Sequence, residues 1–137
     1  MSKRIYLLVM MFTCLSCVEK STPKEVVITD GKQAVIAFET RTIDMGTLVA
    51  GDTTSNVAVF YFTNTGNNAL LLKKVKTSCS CLVSNYSKHP IKPGEKGSIE
   101  IRMQTNKQLG TFGKTVYVKS NAKNSYEVLH VKGKIRK

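Results

Sequence analysis

From residue 34 onward, apolar residues recur at alternate positions and never at helical spacing over a useful length. Ala58, Phe60 and Phe62 share one parity before the turn-rich run Asn64-Thr65-Gly66-Asn67-Asn68. Ile99, Ile101 and Met103 form a second set, introduced by Lys92-Pro93-Gly94, where Pro and Gly suit the two central positions of a type II turn. Val116 and Val118 line a further segment that stops at Ser120-Asn121-Ala122-Lys123-Asn124. At the C-terminus Leu129, Val131, Gly133 and Ile135 alternate with His130, Lys132, Lys134 and Arg136. One face of that segment is buried and the other charged, and its lysines suit an edge strand. Leu70 and Leu72 differ in parity from Val75, and a bulge between them restores the inward direction.

Period two broken by turn residues every ten or so positions predicts an all-β domain. Strands are expected over residues 34–40, 42–49, 55–64, 70–78, 98–105, 114–120 and 126–135. Seven short antiparallel strands in about a hundred residues point to an immunoglobulin-like antiparallel β-sandwich. Phe38, Phe60, Phe62, Ile101, Val116, Val118 and Val131 are the expected core.

The first residues follow another pattern. Lys3 and Arg4 precede an unbroken apolar run from Ile5 to Phe12, and Cys14 and Ser16 lie three and one positions before Cys17. That order is the anatomy of a secretory signal peptide. Residues 5–17 are too few to span a bilayer, which needs roughly 20 apolar residues. Leu15-Ser16-Cys17 resembles the end of a bacterial lipobox, in which the cysteine is acylated and becomes the first residue. Three divisions are therefore expected: a lipoprotein signal peptide over residues 1–16, a lipid-anchored tether over 17–33 and the sandwich over 34–137. The implied location is the cell envelope, with the membrane as a partner through Cys17 and the domain in the periplasm or at the cell surface.

Loss of Lys3 and Arg4 with the signal leaves 19 basic residues against 9 acidic ones, a net charge of about +10. Export and the lack of any nucleic-acid motif argue against nucleic acid. The lysines are spread through most of the chain, as on a well-solvated surface, with attraction to anionic lipid or polysaccharide as the functional alternative.

Several ordered segments resemble a known family. They are Ile43-Asp44-Met45-Gly46-Thr47-Leu48, Gly51-Asp52, Phe60 through Gly66, Cys79-Ser80-Cys81, Pro90 through Glu95 and Lys114 through Asn121. Together they resemble the bacterial Domain of Unknown Function 1573 family from about Phe38 to Ile135. The resemblance implies an immunoglobulin-like sandwich related in architecture to periplasmic pilus chaperones and to major-sperm-protein-type modules. It also implies an envelope lipoprotein, and it assigns no activity. The family usually has Gly between the two cysteines where this chain has Ser80.

Once the signal is cleaved and Cys17 acylated, Cys79 and Cys81 are the remaining thiols. On a regular strand their Cα atoms would lie roughly 6.5–7 Å apart, at the limit for a disulfide, so a bridge requires a turn or kink there. A structural thiol pair and a soft-metal site for copper or zinc are the alternatives, with His89 the nearest further candidate ligand in sequence and His130 facing outward. Once residues 1–16 are removed, no nucleophile elbow, zinc-protease helix, phosphate loop or Cys-x-x-Cys motif remains, so no enzymatic activity, cofactor or small-molecule substrate is expected. The expected partner is another envelope component, a protein, engaged through an exposed strand edge.

Overall fold

The computed structural model describes residues 31–106 and 108–137. The expected signal peptide, Cys17 and most of the tether lie outside these residues. Eight strands make up the domain: β1 Ile36–Phe38, β2 Thr42–Val49, β3 Val57–Asn64, β4 Leu72–Thr77, β5 Leu82–Tyr86, β6 Lys96–Met103, β7 Gly110–Ser120 and β8 Tyr126–Arg136. They form two four-stranded sheets, ordered β1-β3-β6-β5 and β2-β8-β7-β4. The chain is an immunoglobulin-like β-sandwich.

The inward parities of the two sheets meet in one core. Phe60, Phe62, Ile99, Ile101 and Met103 come from the first sheet, and Val116, Val118, Leu129, Val131 and Ile135 from the second, each at most 1% exposed. Full burial of one such side chain contributes about 1.5–3 kcal/mol relative to exposure. Phe38 packs half-buried against this core, its ring centroid 5.4 Å from that of Phe62. It lies at the end of β1, just before the chain leaves the first sheet for the second, so solvent reaches one side of it.

The expected local devices are present. Register shifts between Leu72 and Lys74, leaving Lys73 as the extra residue of a bulge. That shift returns Val75 to the inward face opposite Val118. The Glu95 N–H donates to the Lys92 carbonyl at 3.0 Å, and Gly94 has φ +79°, completing the type II turn.

Two expectations are corrected. Strand β8 is central, lying between β2 and β7, and its pairing with β2 is parallel. Alternation reports a half-buried face, which central and edge strands of a sandwich share, so it cannot distinguish them. An eighth strand, β5, fills part of the stretch read as loop. Its inward parity runs Leu82, Ser84, Tyr86, and only Leu82 is both apolar and fully buried, so the period-two signal there is faint. Gln33, at the end of the expected tether, is tied to the sandwich: its N–H donates to Asn67 Oδ1 at 2.8 Å and the Asn67 N–H returns a bond to the Gln33 carbonyl.

Candidate functional site

Thr77 ends β4 in one sheet and Leu82 begins β5 in the other, so the four residues between them carry the chain across the sandwich. Cys79 and Cys81 lie in this crossover. The Leu82 N–H donates to the Cys79 carbonyl at 3.3 Å, closing a turn of four residues. Thr77 Oγ1 donates toward the carbonyl of Cys79 at 3.1 Å, anchoring the turn to the end of β4. The Gln104 N–H donates to the Cys81 carbonyl at 2.8 Å, which ties its other limb to β6.

This turn draws the two Cα atoms to 5.3 Å, well inside the range for a disulfide, and the cysteines are bonded to one another. No described residue other than glycine has positive φ, so Ser80 occupies its place without the backbone freedom of the Gly usual there. Cys81 is buried, at 6% exposure, whereas Cys79 is half-buried against the core. A disulfide offers no thiolate to a metal, and His89 is an exposed loop residue before Pro90. Among the described residues no three His, Cys, Asp or Glu side chains gather closely enough to hold a metal ion. His130 lies exposed on the outer face of β8, opposite Thr42 and Thr115.

The four sheet edges differ in how they are guarded. Strand β4 carries Lys73, Lys74 and Lys76, charges that discourage pairing with another chain. Strand β2 is broken by a register shift between Asp44 and Thr47. Strand β1 is three residues long, and Asn124 bonds both the N–H and the carbonyl of Ile36. Strand β5, Leu-Val-Ser-Asn-Tyr, carries no charge, proline or bulge. The Cys81 carbonyl points to β6, so by the alternation of an antiparallel ladder the N–H and carbonyl of Ser84 and Tyr86 point away from the sheet. The side chain of Val83, 49% exposed, stands on the outer face.

The two outer faces differ in charge. On the β1-β3-β6-β5 sheet, Lys96 pairs with Glu39 at 2.8 Å and Arg102 with Glu100 at 3.1 Å. The Glu39 carboxylate, through a hydrogen bond and its charge, holds the Lys96 ammonium above its usual pKa. On the opposite sheet the outward parity places Lys74, Lys76, Lys119, Lys132, Lys134 and Arg136 on one face. Asp44, 3.6 Å from Lys132, is the acidic residue of that face. Tyr117, Tyr126 and Val128 stand exposed among these cations, and the Lys119 ammonium lies 5.2 Å from the Tyr126 ring centroid. Sequence reading missed both this face and the β5 edge. Charge parity along β8 hinted at the first, but only the register of β4, β7 and β8 sets the cations side by side.

The fold is shared by solved structures of low sequence identity. A protein of unknown function from Porphyromonas gingivalis W83 is similar at 22% identity and a TM-score of 0.66, over 79% of this chain and 50% of that one. The chain thus spans half the length of that protein. The ASH/PapD-like domain 7 of human CEP192 is similar at 8% identity and a TM-score of 0.63, over 85% and 96% of the two chains. The VesB protease of Vibrio cholerae is similar at 14% identity and a TM-score of 0.54, over 77% of this chain and 32% of that one. These likenesses establish architecture. No curated protein matches the chain. With the sandwich, the cysteine turn and the Lys92–Glu95 turn all in place, a family model matching residues 36–135 shows that the chain belongs to the family described as Protein of unknown function (DUF1573).

Proposed function

We propose that this is a non-catalytic, lipid-anchored envelope protein whose sandwich binds another envelope protein by accepting a strand along β5. The observation that carries this reading is the contrast among the edges: three are blunted, while β5 is five residues long and uncharged. Strand addition draws affinity from main-chain hydrogen bonds and specificity from alternate side chains. Ser84 and Tyr86 supply the first, and Val83 and Asn85 can supply the second. The anchor rests on the charge-then-apolar order of residues 3–12 and on Cys17. A photo-crosslinking residue at position 83, activated in cells, tests the edge. A reproducible adduct is expected, and Ser84→Pro should abolish it, because that N–H serves the free edge and not the ladder with β6. Absence of an adduct, or an adduct indifferent to Ser84→Pro, would overturn the reading.

A second reading is favoured by the smallness of the loop that the disulfide closes. A bridge between residues two apart adds little cross-linking stability, so stability alone gives a weak reason for it. In this reading a partner thiolate attacks the half-buried Cys79 sulfur, forming a mixed disulfide and releasing Cys81 as a thiolate. A second partner thiol then completes the exchange, leaving the pair reduced and the partner oxidised. Serine at both positions should abolish exchange with a small dithiol while the β-sheet circular dichroism is retained. Exchange that persists in the double variant would eliminate this reading.

A further inference from the structure

We infer that the outer face of the β2-β8-β7-β4 sheet lies against an anionic membrane surface, with phospholipid headgroups as its ligand. The inference rests on the lipid-anchor reading and adds an orientation to it.

Two independent observations converge. The first is chemical. Among the described residues six exposed cations share the face with a single carboxylate, whereas Lys96 and Arg102 on the opposite face are paired with Glu39 and Glu100. Toward its β4 edge Tyr117, Lys74, Lys76, Lys119 and Tyr126 line an open groove of about 280 Å³. Ammonium groups attract lipid phosphates. Tyrosine, apolar in its ring and polar at its tip, is the side chain suited to headgroup depth. Tyr126, at 67% exposure, covers nothing of the core, so packing does not account for it.

The second observation is where the chain enters. Lys32, Gln33 and Ala34 lie against Asn121, Ala122 and Lys123, and the Lys123 N–H donates to the Ala34 carbonyl at 2.9 Å. Those residues belong to the hairpin between β7 and β8, which begins just beyond the Lys119–Tyr126 pair. The tether therefore reaches the domain at the same end as Lys74, Lys119 and Tyr126. Cys17 is 14 residues before Gly31, a reach of at most about 50 Å when extended. An anchored domain is thus confined near its membrane, and an attraction too weak to recruit a free protein is enough to orient a tethered one.

The test uses the lipidated chain purified from membranes and inserted into vesicles. One set is phosphatidylcholine alone, and the other is equimolar phosphatidylcholine and phosphatidylglycerol. Amine-reactive labelling read by peptide mass spectrometry reports each lysine, with Lys96 on the opposite face as the internal reference. Labelling of Lys74, Lys119 and Lys132 should fall about five-fold or more in the anionic vesicles, with Lys96 unchanged. It should recover in molar salt, where the screening length shrinks to about 3 Å. Equal labelling in both vesicles overturns the inference while leaving the anchor standing. Protection by an added acidic polysaccharide, without protection by anionic lipid, overturns it in favour of that polymer. Intact mass of the same preparation separates the two claims, since an unmodified Cys17 would overturn the anchor and the orientation with it.

Discussion

The side-chain amide of Asn124 binds both backbone groups of Ile36 across 88 residues of sequence. Its oxygen accepts from the Ile36 N–H at 3.2 Å, and its nitrogen donates to the Ile36 carbonyl at 2.8 Å. It imitates the next strand of a ladder and closes the short β1 edge. Asn124→Ala leaves these two groups without that partner, at a cost of about 1–3 kcal/mol. The expected outcome is a lower denaturation midpoint, together with hydrogen exchange that accelerates more at the Ile36 amide than at the core amide of Ile101. Uniform acceleration across the domain would show that Asn124 supports global stability instead of the edge.

Reduction of the Cys79–Cys81 bridge should be mild. Closing a loop of three residues lowers the entropy of the unfolded chain enough to contribute about 1.5 kcal/mol. For a domain of this size the melting temperature should fall by about 10 °C or less, with the β-sheet circular dichroism preserved. Melts with and without dithiothreitol check this. Unfolding at room temperature on reduction would mean that the bond itself, and not the hydrogen bonds of the turn, organises the crossover from β4 to β5.

Much of the sandwich was legible because burial writes itself into alternation. The bulge at Lys73 could be placed from the parity of Leu72 and Val75, and the turn at Gly94 from Pro93-Gly94. Strand β5 was not legible, because Ser84 holds an inward position without the apolar side chain that would mark it. The central place of β8 was hidden for another reason. Strand order is a property of pairing between distant segments, and β2 reaches β8 only because the chain changes sheets after Phe38. The basic face illustrates the same gap. Lys74, Lys119 and Lys132 are scattered in sequence and become neighbours only through register, so a count of lysines reads as diffuse where the folded surface is polarised. The cysteine motif could be read as needing a turn, while its position between two sheets could not.

Acid should weaken the loop between β2 and β3 through Asp52. The Ser55 hydroxyl, then the Thr54 N–H at 2.7 Å and the Thr54 hydroxyl at 2.7 Å, all donate to its carboxylate and hold its pKa at about 2. The unfolded value is about 3.9. A carboxylate depressed on folding adds stability above its unfolded pKa and loses it as pH falls toward the folded one. The Asp52 contribution should therefore be complete above about pH 4 and gone near pH 2. Asp52→Asn should flatten the stability profile in that window and leave its slope unchanged at neutral pH. Parallel acid slopes for the two proteins, measured by denaturant titration, would contradict this assignment.

Gly97 is held by a ring and not by a turn. It lies directly opposite Phe62 in the ladder between β3 and β6, and a Cβ placed on it would meet the Phe62 ring and, at 2.6 Å, Ile91 Cδ1. Both neighbours are fixed in the core, Phe62 at 0% and Ile91 at 1% exposure, so neither can withdraw freely. Gly97→Ala should consequently overpack the sandwich and cost about 1–3 kcal/mol, although alanine suits a strand better than glycine does. Phe62→Leu alone removes ring volume and costs stability by leaving a void. Combined, the new methyl enters part of that void, so the double variant should be more stable than the sum of the two losses predicts. Denaturation midpoints of the four proteins give the coupling directly. Simple additivity would mean that the ring moves aside without resistance and that the close approach of Phe62 to Gly97 is not what selects glycine at this position.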